Sequence, residues 1–172
     1  MKNFFYTFAF ILCALMTLQA ETMVVATYNL RNANGGDSTN GNGWGQRYPY
    51  IAQIVQFHGF DIFGTQEGKY PQLQDLKQAM PGYDYIGVGR DDGKQAGEHS
   101  AIFYRTDKFE VLAHGDFWLS EITDRPNKGW DAFCPVSVRG ASFGTNRPAS
   151  LSCSSTFIWI MSAYKPVPRA LS

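Results

Sequence analysis

The chain reads as an α/β protein, a mixed β-sheet with helices on its outer face. Three observations predict this class. β-Branched and aromatic runs alternate with helical periods from residue 23 to residue 88, and strand-like runs then dominate to residue 119. Gly59 and the Pro81-Gly82 step punctuate these runs where helices should stop. Hydrophobic residues make up 44% and aromatic residues 15% of the 172 positions, enough for one buried core.

Taken in order, the first element lies outside the fold. Lys2 precedes a nearly unbroken apolar run over residues 4–18, and Ala20 offers a small residue for cleavage. This is the pattern of an export signal, residues 1–20, and it predicts a periplasmic or extracellular protein. The run falls short of the ~20 residues that cross a hydrocarbon core, so no membrane span is expected after cleavage. Bulky Ile11 and Leu12 ahead of Cys13 disfavour a lipid anchor there.

Residues 23–30 (MVVATYNL) form the first predicted strand, and residues 32–45 a loop dense in Asn and Gly. Ile51, Ile54, Val55 and Phe57 give residues 50–58 a helical period with an inward face. Residues 60–65 (FDIFGT) are a short buried strand, and residues 73–80 a second helix. Residues 83–88, 101–104, 109–112 and 117–119 complete the predicted strands. Formal net charge is +0, so the chain lacks the electrostatic footprint of a polyanion or membrane-surface binder.

Texture changes at residue 133. All 15 Asp and Glu residues precede it, while 8 serines crowd residues 133–172 against 3 before them. A jump in composition at one point, with local periodicity lost, is the mark of a reading-frame shift. The genetic code supports this. Taking the third base of each codon with the first two of the next, Phe133-Cys134 must encode Leu and Trp159-Ile160 must encode Asp. Residues 133–146 then permit Leu-Pro-Arg-Ile-Cys-Thr-Trp-Gly-Lys-Phe-Arg-Asp-Lys, and residues 153–163 permit Phe-Phe-Asn-Leu-His-Leu-Asp-His-Val-Gly. Residues 21–132 are therefore expected to be the folded part and residues 133–172 an out-of-frame tail. A disulfide between Cys134 and Cys153 is permitted by export but not expected from such a tail.

Three constellations carry chemistry. Asn29, within Thr27-Tyr28-Asn29-Leu30-Arg31, ends the first strand, where its carboxamide suits either a phosphate or a turn cap. Gln66-Glu67 ends the second strand, where a carboxylate suits a hard cation or solvent alike. Residues 87–104 (GVGRDDGKQAGEHSAIFY) carry Arg90, Asp91, Asp92 and Lys94 into Glu98 and His99; His99 either contacts substrate or is an exposed loop residue. His58 and His114 read as structural.

The order and spacing of these motifs, with Phe117-Trp118-Leu119-Ser120-Glu121 and Asn127-Lys128-Gly129-Trp130-Asp131, resemble the endonuclease/exonuclease/phosphatase family, and its exported bacterial branch in particular. The resemblance covers residues 23–132. It implies a four-layer α/β sandwich of the deoxyribonuclease I-like type, here incomplete, with the active site at one edge of two packed sheets. It further implies a metal-dependent hydrolase of phosphate ester or phosphodiester bonds using Mg2+ or Mn2+. Asn29 and Glu67 are then the metal residues. Asn29 also positions the phosphate or attacking water, and Glu98 orients a later catalytic histidine. Arg31, His99 and Tyr104 fall on the substrate side. The substrate is a phosphate ester: nucleic acid, phospholipid head group or small phosphoester. No stable protein partner is expected.

The chain departs from the family pattern after residue 132. The mid-domain histidine, the Asp-x-Asn pair and the C-terminal Asp-His pair do not occur as written, and the family domain runs to roughly 250 residues, the upper end of single domains. The chain is thus expected to be inactive, with an exposed apolar sheet face. Two other readings stand beside this one. The first is a non-catalytic exported binding module using Trp44, Tyr48, Tyr50, Trp118 and Trp130. The second is a pseudogene fragment without function.

Overall fold

The computed structural model describes residues 22–146 and, as backbone, a final strand at Thr156–Met161. The signal segment at residues 1–20, Cys153 and most of the shifted-frame tail lie outside the described residues.

Strand β1 (Val25–Asn29) leads through α1 (Gly35–Thr39) and α2 (Trp44–Phe57) to β2 (Ile62–Lys69). Then follow α3 (Tyr70–Ala79), β3 (Tyr83–Ile86), β4 (Glu98–Arg105), β5 (Phe109–Trp118), β6 (Ser137–Thr145) and β7 (Thr156–Met161). The strands form two sheets, ordered β1-β2-β4-β3 and β5-β6-β7. β1 and β2 are parallel, as a helical crossover demands, and the other pairings are antiparallel.

Alternation along the strands decides which residues fill each layer. Leu30, Phe63, Ala101 and Phe103 face α2 and α3, where they meet Ile51, Val55, Leu73 and Leu76. Ile62 and Ile102 face the other way and meet Phe109, Ala141 and Phe143 of the second sheet. The expected mixed α/β class holds: helices cover the outer face of the first sheet, and the second sheet packs on its inner face.

Several elements differ from expectation. α2 begins well before residue 50, because Gln46 caps the backbone of Gly43 and Trp44 Nε1 donates to Asp75 at 2.8 Å. Phe57 is not a core residue and is 85% exposed. Each helical residue turns about 100°, so two residues past Val55 lies on the opposite side. The loop at residues 32–45 contains α1, capped by Asn34, whose side chain accepts from Asp37 N at 2.9 Å. Residues 109–112 and 117–119 belong to one strand, β5, joined through a register shift between Val111 and Ala113.

The largest difference follows residue 133. The break in composition does not coincide with a break in the fold. β6 pairs along the whole of β5, and residues 137–143 are all buried. Arg139, only 1% exposed, pairs with Asp116 across the two strands. Burial pushes the Asp116 carboxyl up and the Arg139 guanidinium down. Low-complexity texture concealed β6, a strand rich in small residues that is buried on both faces.

Candidate functional site

Parallel pairing brings the C-terminal ends of β1 and β2 to one sheet edge. Antiparallel pairing brings the start of β4 to the same edge. Asn29, Glu67 and Glu98 occupy those three strand ends.

They form one hydrogen-bonded chain. Asn29 Nδ2 donates to Glu67 Oε1 at 3.0 Å, and Asn32 N donates to Glu67 Oε2 at 3.4 Å. Asn32 Nδ2 then donates to Glu98 Oε1 at 2.9 Å, and Arg90 NH1 donates to Glu98 Oε2 at 2.7 Å. Two carboxylates are thereby tied to one edge by amide and guanidinium donors.

The backbone beneath them is strained and tightly held. Glu67 sits at φ 61° and Arg31 at φ 52°, the left-handed region that favours glycine. The register of β2 against β4 shifts between Thr65 and Gly68, and that bulge turns Glu67 toward the site. A Cβ at Gly68 would lie 2.8 Å from Leu30 Cδ1, so only glycine lets the bulge close on the core. The turn after β1 is fastened by Arg47, which donates to Leu30 O at 2.7 Å and Arg31 O at 3.0 Å. Gln72, 1% exposed, donates to Arg31 O and accepts from Ala33 N.

Arg31 reaches the rim, where Asp37 holds its guanidinium through two bonds of 2.6 and 2.8 Å. That hydrogen bonding lowers the Asp37 carboxyl from 3.8 to about 2.

Two expected site residues are not brought here. His99 neighbours Glu98 but points to the opposite face, the helix side, where it is 0% exposed with its ring 6.4 Å from that of Tyr70. Burial holds its imidazole below the ordinary 6.5. It is neither an exposed loop residue nor open to substrate. Tyr104 lies at the far end of β4, opposite Ile62, and packs on Phe143 in the space between the sheets. Conversely, the sequence reading gave no role to Asn32 and none to Arg90. The one signal for Asn32 was its place in the Asn-rich turn directly after Arg31.

Solved structures match the fold that carries this edge. A mannosyl-6-phosphatase from Bacteroides thetaiotaomicron superposes with a TM-score of 0.76 at 59% identity, over 80% of this chain and 50% of that one. An endonuclease/exonuclease/phosphatase protein from Bacteroides vulgatus gives 0.75 at 40% identity, over 82% and 52%. Identities of 40–60% with such proteins support assignment of the chain to the endonuclease/exonuclease/phosphatase family. The chain spans about half the length of these family members. The human nocturnin catalytic domain, at 15% identity and a TM-score of 0.58, shares the family fold alone. An uncharacterized protein of Acanthamoeba polyphaga mimivirus is 30% identical over 95 residues, which is 14% of its length. No family model matches the chain.

A metal would have to suit the donors at this edge. Mg2+ takes oxygen ligands and keeps several waters, so one or two carboxylates serve it alongside a substrate phosphate. Glu67 is such a carboxylate. Asn29 does not present an oxygen to that place: its Oδ1 accepts from Arg31 N at 2.8 Å and its Nδ2 faces Glu67. In this arrangement Asn29 turns its amide nitrogen to the Glu67 carboxylate and supports it from behind. Among the described residues no group of three His, Cys, Asp or Glu side chains could enclose a metal ion. A cation held by Glu67 together with water and substrate is compatible with these donors.

Proposed function

We propose that this chain is the N-terminal part of an exported, divalent-cation-dependent hydrolase of small phosphate esters. The convergence of Asn29, Asn32, Glu67 and Glu98 on one sheet edge carries this reading. Glu67 would hold Mg2+ or Mn2+, which when bound draws charge from the phosphoryl oxygens and leaving oxygen. Asn29 fixes the Glu67 carboxylate through its amide. Asn32 and Arg90 fix Glu98, whose two oxygens are already engaged and which therefore orients a partner rather than attacking substrate. Arg31, two-thirds exposed at the rim, would meet the phosphate.

A small ester suits the neutral net charge better than a nucleic acid, whose binding draws on several Lys or Arg contacts. The similarity to a mannosyl-6-phosphatase points to a sugar phosphate. The chain by itself is expected to be inactive, because the histidine and the second acidic pair implied for the family are missing as written. Reading the gene across the codons of Ala132 and Phe133 tests the frameshift behind this: one insertion or deletion that opens a longer frame is the expected result.

Titration of the purified chain with Mn2+ tests the cation site. One weak site, lost in Glu67→Ala, is the expected outcome. Binding that survives Glu67→Ala, or robust phosphatase turnover by the purified chain, overturns this account.

A further inference from the structure

We infer that Trp130 is a specificity-determining residue, an indole platform for the sugar ring of a phosphorylated sugar held at the Glu67 edge. This rests on the phosphoesterase reading above and adds a separate subsite to it.

Trp130 is 76% exposed and sits at φ 48°, so the chain holds a large apolar ring in water on a left-handed, non-glycine backbone. Both features are unfavourable, and they persist only where the surroundings impose them. Here they do. A Cβ at the preceding Gly129 would lie 2.1 Å from Leu119 O, so the turn is pressed against the end of β5. Ala132 N donates to Gly129 O at 3.0 Å, closing the turn around Trp130. Asn127 Nδ2 ties the loop to Ile122 O and Arg125 O at 2.6 Å, and Ser120 at its base is buried.

The same loop is anchored to the candidate site. Trp118 Nε1 donates to Arg90 O at 2.8 Å, and Arg90 in turn grips Glu98. Pro126 Cγ would lie 3.6 Å from a Cβ at Gly93, in the segment that delivers Glu98. The loop that carries Trp130 thus packs against the segment that delivers Glu98.

The chemistry of the platform selects its occupant. An indole face is broad, rigid and apolar, and packs against the C–H face of a pyranose with little ordering cost. Lys128, two residues before it in the same loop, lies with Nζ 5.9 Å from the centre of the Phe133 ring and adds positive charge to the loop. A nucleic acid would call for a wider basic surface than a chain of net charge +0 provides.

The test is isothermal titration of the chain, with Mg2+ present, using mannose 6-phosphate and inorganic phosphate as separate probes. Trp130→Ala is expected to weaken the sugar phosphate at least tenfold and leave inorganic phosphate unchanged, while Trp130→Phe stays within about threefold of the parent. Unchanged sugar-phosphate affinity in Trp130→Ala overturns the subsite. So does equal weakening of both probes in the Ala and Phe variants, since that reports a fold defect rather than a platform. A parent chain that binds neither probe removes the phosphoesterase reading and the subsite with it. Inorganic phosphate binding that is lost in Glu67→Ala, beside an indifferent Trp130, removes the subsite alone.

Discussion

Glu67 pays for its position. A left-handed non-glycine residue costs about 1–2 kcal/mol, and such strain gathers where side-chain direction matters more than stability. Glu67→Gly should therefore be more stable than Glu67→Ala by about 1 kcal/mol, the reverse of the usual preference, while both lose cation binding. Thermal melts of the two variants check this; an Ala variant as stable as the Gly variant removes the strain argument. At the rim, Asp37 titrates from 3.8 in the open chain to about 2 in the fold. A depressed carboxyl lends stability above the higher value and loses it as pH falls toward the lower. Melting temperature should thus drop between pH 4 and 2 more steeply in the parent chain than in Asp37→Asn. Parallel acid limbs in the two proteins would show that the Arg31–Asp37 clasp does not hold the turn.

At the scale of elements, β6 decides how the second half of the chain is regarded. Phe143 is 1% exposed and contacts both Tyr104 and Phe109 across the sheets. If the strand forms, Phe143→Ala should cost about 3–5 kcal/mol, read from the urea midpoint. A loss below about 1 kcal/mol would mean that β6 does not contribute to the core. The Arg139–Asp116 pair gives an independent check. Removing one partner strands a buried charge and should cost about 3–5 kcal/mol, whereas replacing both with apolar residues of similar volume should be close to neutral. β6 was missed in the sequence because it lies in a serine-rich stretch without carboxylates. Its run of buried residues from Ser137 to Phe143 is recognisable as a strand only once β5 supplies a partner. α2 shows the same effect, since its first turns are set by Gln46 and Trp44 side chains rather than by apolar spacing.

For the molecule as a whole, the exposed edge of the first sheet governs self-association. The inner face of β1 is open: Val25 is 48% exposed, and Thr27 and Asn29 are exposed beside it. Among the described residues β1 also has one strand neighbour, β2, which leaves its other edge free. A free parallel edge with Val25 exposed beside it is a template for self-association. Light scattering should show concentration-dependent aggregates, reduced by Val25→Lys. A monodisperse parent chain at high concentration would mean that this face is covered.

Sequence alone determined what depends on local chemistry: the α/β class, the helix stops and the motif order that resembles the family. These follow from backbone preference and side-chain period, which each short segment carries in itself. Tertiary structure decided what depends on direction. It turned His99 inward and Tyr104 away from the edge, although both lie in the same motif as Glu98, because neighbouring residues of a strand face opposite ways and its two ends lie far apart. It also recruited Asn32 and Arg90, whose parts exist only once the loops after β1 and before β4 meet around Glu98.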